Sequence, residues 1–223
     1  MRFLVLGATG PCGILLVRGL LLKYPSDPVI IYARSPHKLP PDINSTTHPT
    51  LTIIKGDLTD QDSIDRALEG VDVVLSALGP VFGQPSDTPL AKGYQLLIEL
   101  MGKRGIKRLI VLGATSIVDP ADKYSFAYSC MINVVKAGAK SAYKDFVAIG
   151  NTIRRQGYDL DWTIVRVPIL TNSDGDNQTI VAGYVGDGKV GLSLPRKAFA
   201  TFVIGEIEKR EPGRFMDPRY ILI

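Results

Sequence analysis

The chain has only two cysteines, two histidines and one tryptophan among its 223 residues. Cys12 and Cys130 are too few for a disulfide framework, and with two histidines they do not form the spaced ligand set of a structural zinc site. This usage predicts a protein of a reducing compartment. Cys12 lies at the N-terminus of a predicted helix, which could lower the pKa of its thiol. We favour a simpler interpretation, a small residue packed beneath a turn.

Long apolar runs and clustered charge are also missing. The longest apolar run is far shorter than the roughly 20 residues that cross a membrane, and no secretion signal precedes the first run. The net charge of +4 is spread over scattered basic pairs instead of a basic stripe interleaved with aromatic residues. We therefore expect a cytoplasmic protein that binds neither membrane nor nucleic acid. Its modest positive charge suits anionic cofactors and substrates.

The most informative segment is a glycine turn at residues 7–13, Gly-Ala-Thr-Gly-Pro-Cys-Gly, between apolar runs at residues 3–6 and 14–22. This order is typical of a strand, a tight turn and a helix. Glycines allow the turn itself, close approach of an anion to the backbone, and close packing of helix on strand. The helix N-terminus suits a pyrophosphate. The turn predicts a dinucleotide site, with a turn that holds no ligand as the alternative; its residues are Gly7, Gly10, Pro11, Cys12 and Gly13.

A basic segment after the second apolar run indicates which dinucleotide. Residues 29–33 are followed by Arg34 and Ser35, with Lys38 three residues further on. Sites that prefer NAD carry Asp or Glu here to accept hydrogen bonds from ribose hydroxyls, whereas Arg pairs bidentately with a 2′-phosphate. Ser35 adds a hydroxyl donor and Lys38 a second positive charge. We predict NADPH or NADP as the cofactor, with an exposed basic loop as the alternative.

Strand-like and helical patterns alternate along the chain, which predicts an α/β fold of the Rossmann type. We expect a doubly wound parallel sheet with helices on both faces, and a helical region over residues 124–156 that is broken near Gly138. No linker separates two domains, so residues 1–223 are expected to form a single NAD(P)-binding domain. Residues 167–223 are expected to contribute a small cap on the substrate side. A monomer or a dimer is compatible with this size.

Together these motifs resemble the atypical short-chain dehydrogenase/reductases, in particular NmrA-like proteins and the flavin or biliverdin reductase-like branch. The resemblance rests on the glycine turn, on Ala33-Arg34-Ser35, and on segments at residues 56–60, 70–74 and 161–168. They follow one another in the expected order over about three-quarters of the chain. The resemblance implies a Rossmann fold that binds NAD(P), without identifying a substrate.

The resemblance also implies roles for individual residues. Asp57 and Leu58 would flank the adenine, although a turn or cap role is an equal alternative for Asp57. Thr9 would give a hydroxyl and an N–H group to the phosphates. The remaining implied contacts lie along the ribose and pyrophosphate and near the nicotinamide amide, and they are Ala77, Leu78, Gly79 and Pro168.

The Tyr-x-x-x-Lys pair of ordinary hydride-transferring members occurs nowhere in the chain. In that pair the lysine lowers the tyrosine pKa, so that the phenol can protonate a carbonyl oxygen. Ser116 stands where the family serine stands, and Tyr124 and Tyr128 follow closely enough to supply a phenol. We treat these three as the candidate catalytic residues. The alternatives are a turn or helix-cap serine and two packing tyrosines.

The missing pair counts against a standard alcohol or ketone dehydrogenase. It leaves reduction of a flavin or quinone possible, since such an acceptor can take its proton from water. The sequence predicts an NADPH-dependent oxidoreductase that reduces a small conjugated substrate (a flavin, quinone or enone) by hydride transfer. Two alternatives stay open: a non-catalytic NADP(H)-binding redox sensor with a protein partner, and a redox-neutral dehydratase or isomerase.

Overall fold

The structure is a computed structural model that describes residues 1–80, 87–173, 179–187, 191–209 and 214–221. The strands within these residues are β1 (Phe3–Leu6), β2 (Val29–Ala33), β3 (Leu51–Lys55), β4 (Val73–Ser76), β5 (Arg108–Ala114), β6 (Asp161–Val167), β7 (Ile169–Thr171), β8 (Thr179–Gly183), β9 (Ser193–Pro195) and β10 (Arg214–Ile221). The helices are α1 (Pro11–Lys23), α2 (Gln61–Ala67), α3 (Pro89–Lys103), α4 (Phe126–Gly138), α5 (Lys140–Gln156) and α6 (Arg196–Glu206), with a 3₁₀ turn at Pro36–Lys38.

The main sheet has the strand order β3-β2-β1-β4-β5-β6-β10-β8. Every neighbouring pair from β3 to β10 is parallel, and β8 runs antiparallel to β10 at the edge. The order changes direction between β1 and β4, so a crevice lies outside their carboxyl ends, where ligands bind in open sheets of this kind. The predicted Rossmann-type α/β fold is confirmed.

Helices cover both faces of this sheet. In β1, Phe3 and Val5 belong to the core beneath α1 and α6, while Leu4 and Leu6 belong to the core beneath α2, α3 and α5. Because both faces are covered, all four residues of the strand are buried, which explains its uninterrupted apolar run. No helix among the described residues has both the length and the apolar composition to cross a bilayer.

The helical region predicted over residues 124–156 is divided into α4 and α5. The residue between them, Ala139, has φ −136° and ψ 50°, which is not helical backbone. The predicted break near Gly138 is therefore confirmed. It separates α4, of whose side chains only Tyr128 is buried, from α5, which packs against α3.

The four strands after β6 belong to two different sheets. β10 and β8 continue the main sheet beyond β6, while β7 and β9 form a separate two-stranded parallel ladder. Residues 174–178, 188–190, 210–213 and 222–223 lie outside the described residues. The cap expected from residues 167–223, and its place within a single domain, stay predictions.

Arg108 is a fully buried charge at the amino end of the sheet, opposite the glycine turn. Its Nη1 donates to the carbonyl oxygen of Asp161 at 3.1 Å, to Asp161 Oδ1 at 3.2 Å and to Thr163 Oγ1 at 2.9 Å. Its Nη2 donates to the carbonyl oxygen of Glu206 at 2.6 Å. One side chain therefore joins β5, β6 and the end of α6.

Replacing Arg108 by alanine is expected to lower the free energy of unfolding by about 3–5 kcal/mol, because it leaves the partly buried Asp161 carboxylate without its cation. Lys107→Ala is the matched control, since Lys107 is the exposed neighbour and its loss should cost less than about 0.5 kcal/mol. Urea unfolding of both variants measures the difference. Equal losses in the two variants would contradict the role of Arg108.

Candidate functional site

The glycine turn packs directly against the end of β4. Gly7 has φ +75°, and a Cβ placed on it would lie 2.7 Å from the carbonyl carbon of Ala77 and 2.8 Å from the nitrogen of Leu78. The N–H of Gly10 closes the turn by donating to the carbonyl oxygen of Gly7 at 3.0 Å. Only glycine fits at the first position, both for its backbone angle and for the space available.

Gly13 and Gly10 differ in what surrounds them. A Cβ on Gly13 would overlap the carbonyl oxygen of Gly7 and lie 2.7 Å from the Cα of Ala8. A Cβ on Gly10 would meet only the carbonyl oxygen of Gly7, at 3.4 Å. Gly13 is therefore required by the packing of α1 on the turn, whereas the protein leaves room at Gly10.

Helix α1 begins at this turn with an amino end suited to an anion. Pro11 is its first residue and Gly10 its N-cap, and no side chain of the described residues caps it. The first turn contains no acidic residue. Since first-turn N–H groups have no partner within a helix, the helix end directs donors and positive potential toward the turn.

Cys12 lies in this first turn with 6% of its surface exposed. Burial raises the pKa of its thiol to about 11, although the nearby guanidinium of Arg196 acts in the opposite direction. The interpretation as a small packed residue is confirmed, and the alternative of a lowered thiol pKa is wrong.

The basic segment after β2 lies at the same edge of the sheet. Arg34 and Lys38 are exposed and Ser35 is partly buried. Within the described part of the chain, neither the guanidinium of Arg34 nor the ammonium of Lys38 has a hydrogen-bonding or ionic partner. Two uncompensated cations therefore follow the strand next to β1.

Asp57 follows β3, the next strand outward, and its carboxylate completes a turn. Its Oδ1 accepts hydrogen bonds from the N–H of Thr59 at 3.1 Å and from the Thr59 hydroxyl at 3.0 Å. Its carbonyl oxygen accepts from the phenol of Tyr32 at 2.7 Å. The structure thus shows the turn role for Asp57. The adenine contacts expected of Asp57 and of the partly buried Leu58 stay predictions.

The segment after β4 faces the glycine turn across the switch point. The N–H of Ala77 donates to the carbonyl oxygen of Leu6 at 2.9 Å. Ser76 shares a 2.6 Å hydrogen bond with the buried Tyr94 hydroxyl, and its Oγ lies 3.4 Å from the nitrogen of Leu78. Leu78 and the next residue, Gly79, are partly buried. This segment is therefore held in place from both sides.

The predicted cofactor contacts thus converge on one edge of the sheet. They follow the carboxyl ends of β1, β2, β3, β4 and β6, where Pro168 separates β6 from β7. Thr9 lies in the glycine turn and is partly buried, as is Pro168. The topology alone accounts for this convergence, because all five strands are parallel.

The three candidate catalytic residues are not joined by hydrogen bonds and differ in burial. Ser116 follows β5 and is buried, and its hydroxyl makes no hydrogen bond with any described residue. Tyr128 is 3% exposed, and its phenol donates to the carbonyl oxygen of Gly191 at 2.8 Å. Tyr124 is 81% exposed. Neither tyrosine is hydrogen-bonded to Ser116, and the catalytic roles of all three residues stay predictions.

An ion pair that sequence reasoning missed holds the loop carrying Ser116. Arg166, fully buried in β6, donates from both terminal nitrogens to the two carboxylate oxygens of Asp122 at 2.7 Å. It also donates to the carbonyl oxygen of Ile117 at 2.7 Å. The Asp122 carboxylate accepts the N–H groups of Asp119 at 2.8 Å and Val185 at 3.2 Å. An arginine within the apolar run of residues 162–167 was the available signal, since such a charge needs a buried partner.

A second missed residue is Asp145, which is fully buried on α5. Its carboxylate accepts the N–H groups of Leu90 at 3.2 Å and Ala91 at 3.0 Å, the first turn of α3. Asp145 therefore caps a helix whose first turn lies 54 to 55 residues earlier in the sequence. The amino end of α3 is satisfied by the protein, in contrast to that of α1.

The Asp122 pair predicts a dependence of stability on acid pH. Burial would raise the pKa of Asp122, but hydrogen bonds from Arg166 and the backbone, with the Arg166 charge, hold it below its usual value. The pair's contribution is complete above the unfolded-state pKa of about 4 and is lost as pH falls through the lower folded-state pKa. Asp122→Asn should be less stable than the wild type at neutral pH, with the gap narrowing below about pH 4. Urea unfolding across this range measures the gap; a constant gap would contradict the assignment.

Solved structures with the same fold span nearly the whole chain. A short-chain dehydrogenase/reductase from Veillonella parvula DSM 2008 in complex with NADP has a TM-score of 0.76 at 15% identity, over 98% of this chain and 94% of that one. ChuY, an anaerobillin reductase from Escherichia coli O157:H7, has a TM-score of 0.75 at 14% identity, over 100% and 98%. A Rossmann-fold NAD(P)-binding family protein from Shigella flexneri has a TM-score of 0.70 at 22% identity, over 98% and 93%.

The TM-scores show a shared fold, and at such low sequence identities they show the fold alone. The resemblance to short-chain dehydrogenase/reductases is confirmed at the level of the fold. No curated protein matches the chain in sequence. A family model described as NAD(P)H-binding matches residues 7–210, which is most of the chain. The chain therefore belongs to this NAD(P)H-binding family.

Proposed function

We propose that the protein is an NADPH-dependent reductase that transfers hydride to a small, flat, conjugated acceptor such as a flavin, a quinone or an enone. The observation that carries the proposal is the unpaired Arg34 at the carboxyl end of β2, the strand paired with the one that ends at the glycine turn, in a chain of an NAD(P)H-binding family. The shared fold with a reductase and with an NADP complex supports it.

The adenosine end of the site supports NADPH over NADH. The position after β2 that holds an acidic residue in NAD sites holds Arg34 here, and Lys38 adds charge nearby. Their lack of partners among the described residues leaves room for a 2′-phosphate as their counter-charge. A guanidinium pairs with such a group through two parallel hydrogen bonds.

The candidate catalytic residues favour an acceptor that can be reduced without a strongly acidic side chain as proton donor. A ketone requires a proton at its oxygen as hydride arrives, and the chain lacks Tyr-x-x-x-Lys, while the phenol of Tyr128 is engaged by Gly191. A conjugated acceptor spreads the incoming negative charge over its conjugated system and can take its proton from water. Bound NADPH supplies the hydride, and the protein supplies orientation. The free hydroxyl of Ser116 can donate to an acceptor oxygen.

The direct test combines NADPH binding with turnover. Binding is followed by the fluorescence of the reduced nicotinamide, and its oxidation by absorbance, with flavins, quinones and enones as acceptors. Oxidation with any of these acceptors supports the proposal. Binding without oxidation contradicts a reductase and favours the redox sensor or the redox-neutral enzyme. Absence of binding contradicts the cofactor site itself.

The Arg34→Ala variant is expected to weaken NADPH binding by about tenfold to a hundredfold, because it removes charged hydrogen bonds to the 2′-phosphate. NADH binding should stay unchanged, since NADH has no such group. His37→Ala is the matched control, because His37 is exposed in the same segment and is assigned no contact. Titration of both cofactors measures the effect. Equal losses for NADPH and NADH would contradict the assignment of Arg34.

Two glycine variants separate cofactor binding from folding. Gly10→Ala should cost less than about 1 kcal/mol of stability and yet weaken dinucleotide binding strongly, since its methyl group enters the space left at the turn. Gly13→Ala should cost about 1–3 kcal/mol or more, because it displaces α1 from the turn. Urea unfolding and NADPH titration of both variants test this. A Gly10→Ala variant with unchanged affinity would contradict a pyrophosphate at this turn.

A further inference from the structure

We propose that Arg196, the first residue of α6, binds the pyrophosphate of the dinucleotide. A residue far along the chain from the glycine turn would then complete the phosphate site. The inference rests on the proposed function, in which the glycine turn holds NADPH. It adds a cofactor-binding residue to those that the motif itself provides.

The packing of two helices brings Arg196 to the turn. A Cβ on Gly19 of α1 would overlap Ile204 Cδ1 of α6. One turn further along, the phenol of Tyr24 donates to Glu208 Oε1 at 2.9 Å. At the other end Cys12 lies beside Arg196. These contacts have nearly the same sequence offset, so the two helices run in the same direction with their amino ends together.

Arg196 itself is held in place without being neutralised. Its Nη1 donates to Asn172 Oδ1 at 2.6 Å, and its guanidinium lies beside Cys12 in the first turn of α1. Asn172 directly follows β7. Among the described residues no carboxylate pairs with Arg196. The neutral amide of Asn172 orients the guanidinium and leaves its full charge and its other donors for an anion.

The position favours the pyrophosphate over other anionic groups. A 2′-phosphate is expected at Arg34 after β2. Arg196 lies beside Cys12 in the first turn of α1, where the pyrophosphate of a bound dinucleotide lies in this kind of site. The first turns of α1 and α6 contain no acidic residue. The helix end contributes only about half a charge, and Arg196 adds a whole one.

The test uses four ligands that separate the two phosphate positions. ADP and NADH carry the pyrophosphate alone, 2′-AMP carries the 2′-phosphate alone, and NADPH carries both. The variant is Arg196→Gln, whose amide can keep the contact with Asn172 while the charge is lost. Calorimetric titration should show ADP, NADH and NADPH weakened by about tenfold or more, with 2′-AMP unchanged. Arg34→Ala should give the reverse pattern for ADP and 2′-AMP.

Three further variants serve as controls. Arg196→Lys keeps the charge and should recover part of the ADP affinity. Lys197→Ala changes the neighbouring exposed residue of α6 and should leave ADP binding unchanged. Asn172→Ala removes the orienting amide at an exposed position and should weaken the same three ligands by a smaller factor. If Arg196→Gln does not fold, Asn172→Ala tests the inference in its place. Weaker binding of ADP, NADH and NADPH with unchanged binding of 2′-AMP then supports it.

Unchanged ADP and NADPH affinities in folded Arg196→Gln, or in Asn172→Ala where that variant decides, would overturn the inference. Weaker binding of 2′-AMP alone would assign Arg196 to the adenosine end of the site. A raised KM for the acceptor with unchanged ADP binding would assign Arg196 to the substrate. Either result also overturns the inference. These failures leave the proposed function standing. Wild-type protein that binds none of the four ligands would overturn the proposed function, and this inference with it.

Discussion

The site depends on one close contact, the approach of α1 to the turn that precedes it. The absence of a Cβ at Gly13 lets α1 lie against the carbonyl oxygen of Gly7, and the absence of one at Gly7 lets the turn lie against the end of β4. These contacts join the amino end of α1 to the point where the strand order changes direction. Because α6 packs along α1, the same contact also determines where Arg196 lies. A helix displaced by one methyl group would move the whole proposed anion site.

Two buried arginines lie near opposite ends of the central strands, Arg108 near their amino ends and Arg166 near their carboxyl ends. Arg108 joins β5, β6 and α6 at the amino edge, and Arg166 joins β6 to the loop after β5 at the carboxyl edge. Removing a charge from water costs several kcal/mol, so such pairs add less stability than their contacts suggest. In this arrangement each arginine links residues that are distant in sequence, Arg108 with Glu206 and Arg166 with Asp122. At the carboxyl edge that arrangement includes the loop of Ser116.

Local patterns predicted much of this structure, because their physics acts over a few residues. The glycine turn, the alternation of strands and helices, and the break after Gly138 all depend on short-range chemistry, and the structure confirms them. Asp122 and Arg196 could not be singled out from the sequence, because their partners Arg166 and Cys12 are 44 and 184 residues away. Periodicity shows which face of a helix is buried but not which helix lies beside it. Likewise, Tyr128 follows Ser116 closely in sequence, yet its phenol bonds to Gly191.

Charge is distributed unevenly at the carboxyl edge of the sheet. Two carboxylates there are engaged by the protein, Asp57 with Thr59 and Asp122 with Arg166, while Arg34 and Lys38 have no counter-charge among the described residues. A fold gains nothing in stability from unpaired cations held near one another, since they repel. An anion bound between such cations would remove this repulsion, and an anion that binds the folded state alone stabilises it by mass action. A dinucleotide with phosphates at both the turn and the adenosine end fits this distribution, because it would bring negative charge to cations that have no counter-charge among the described residues.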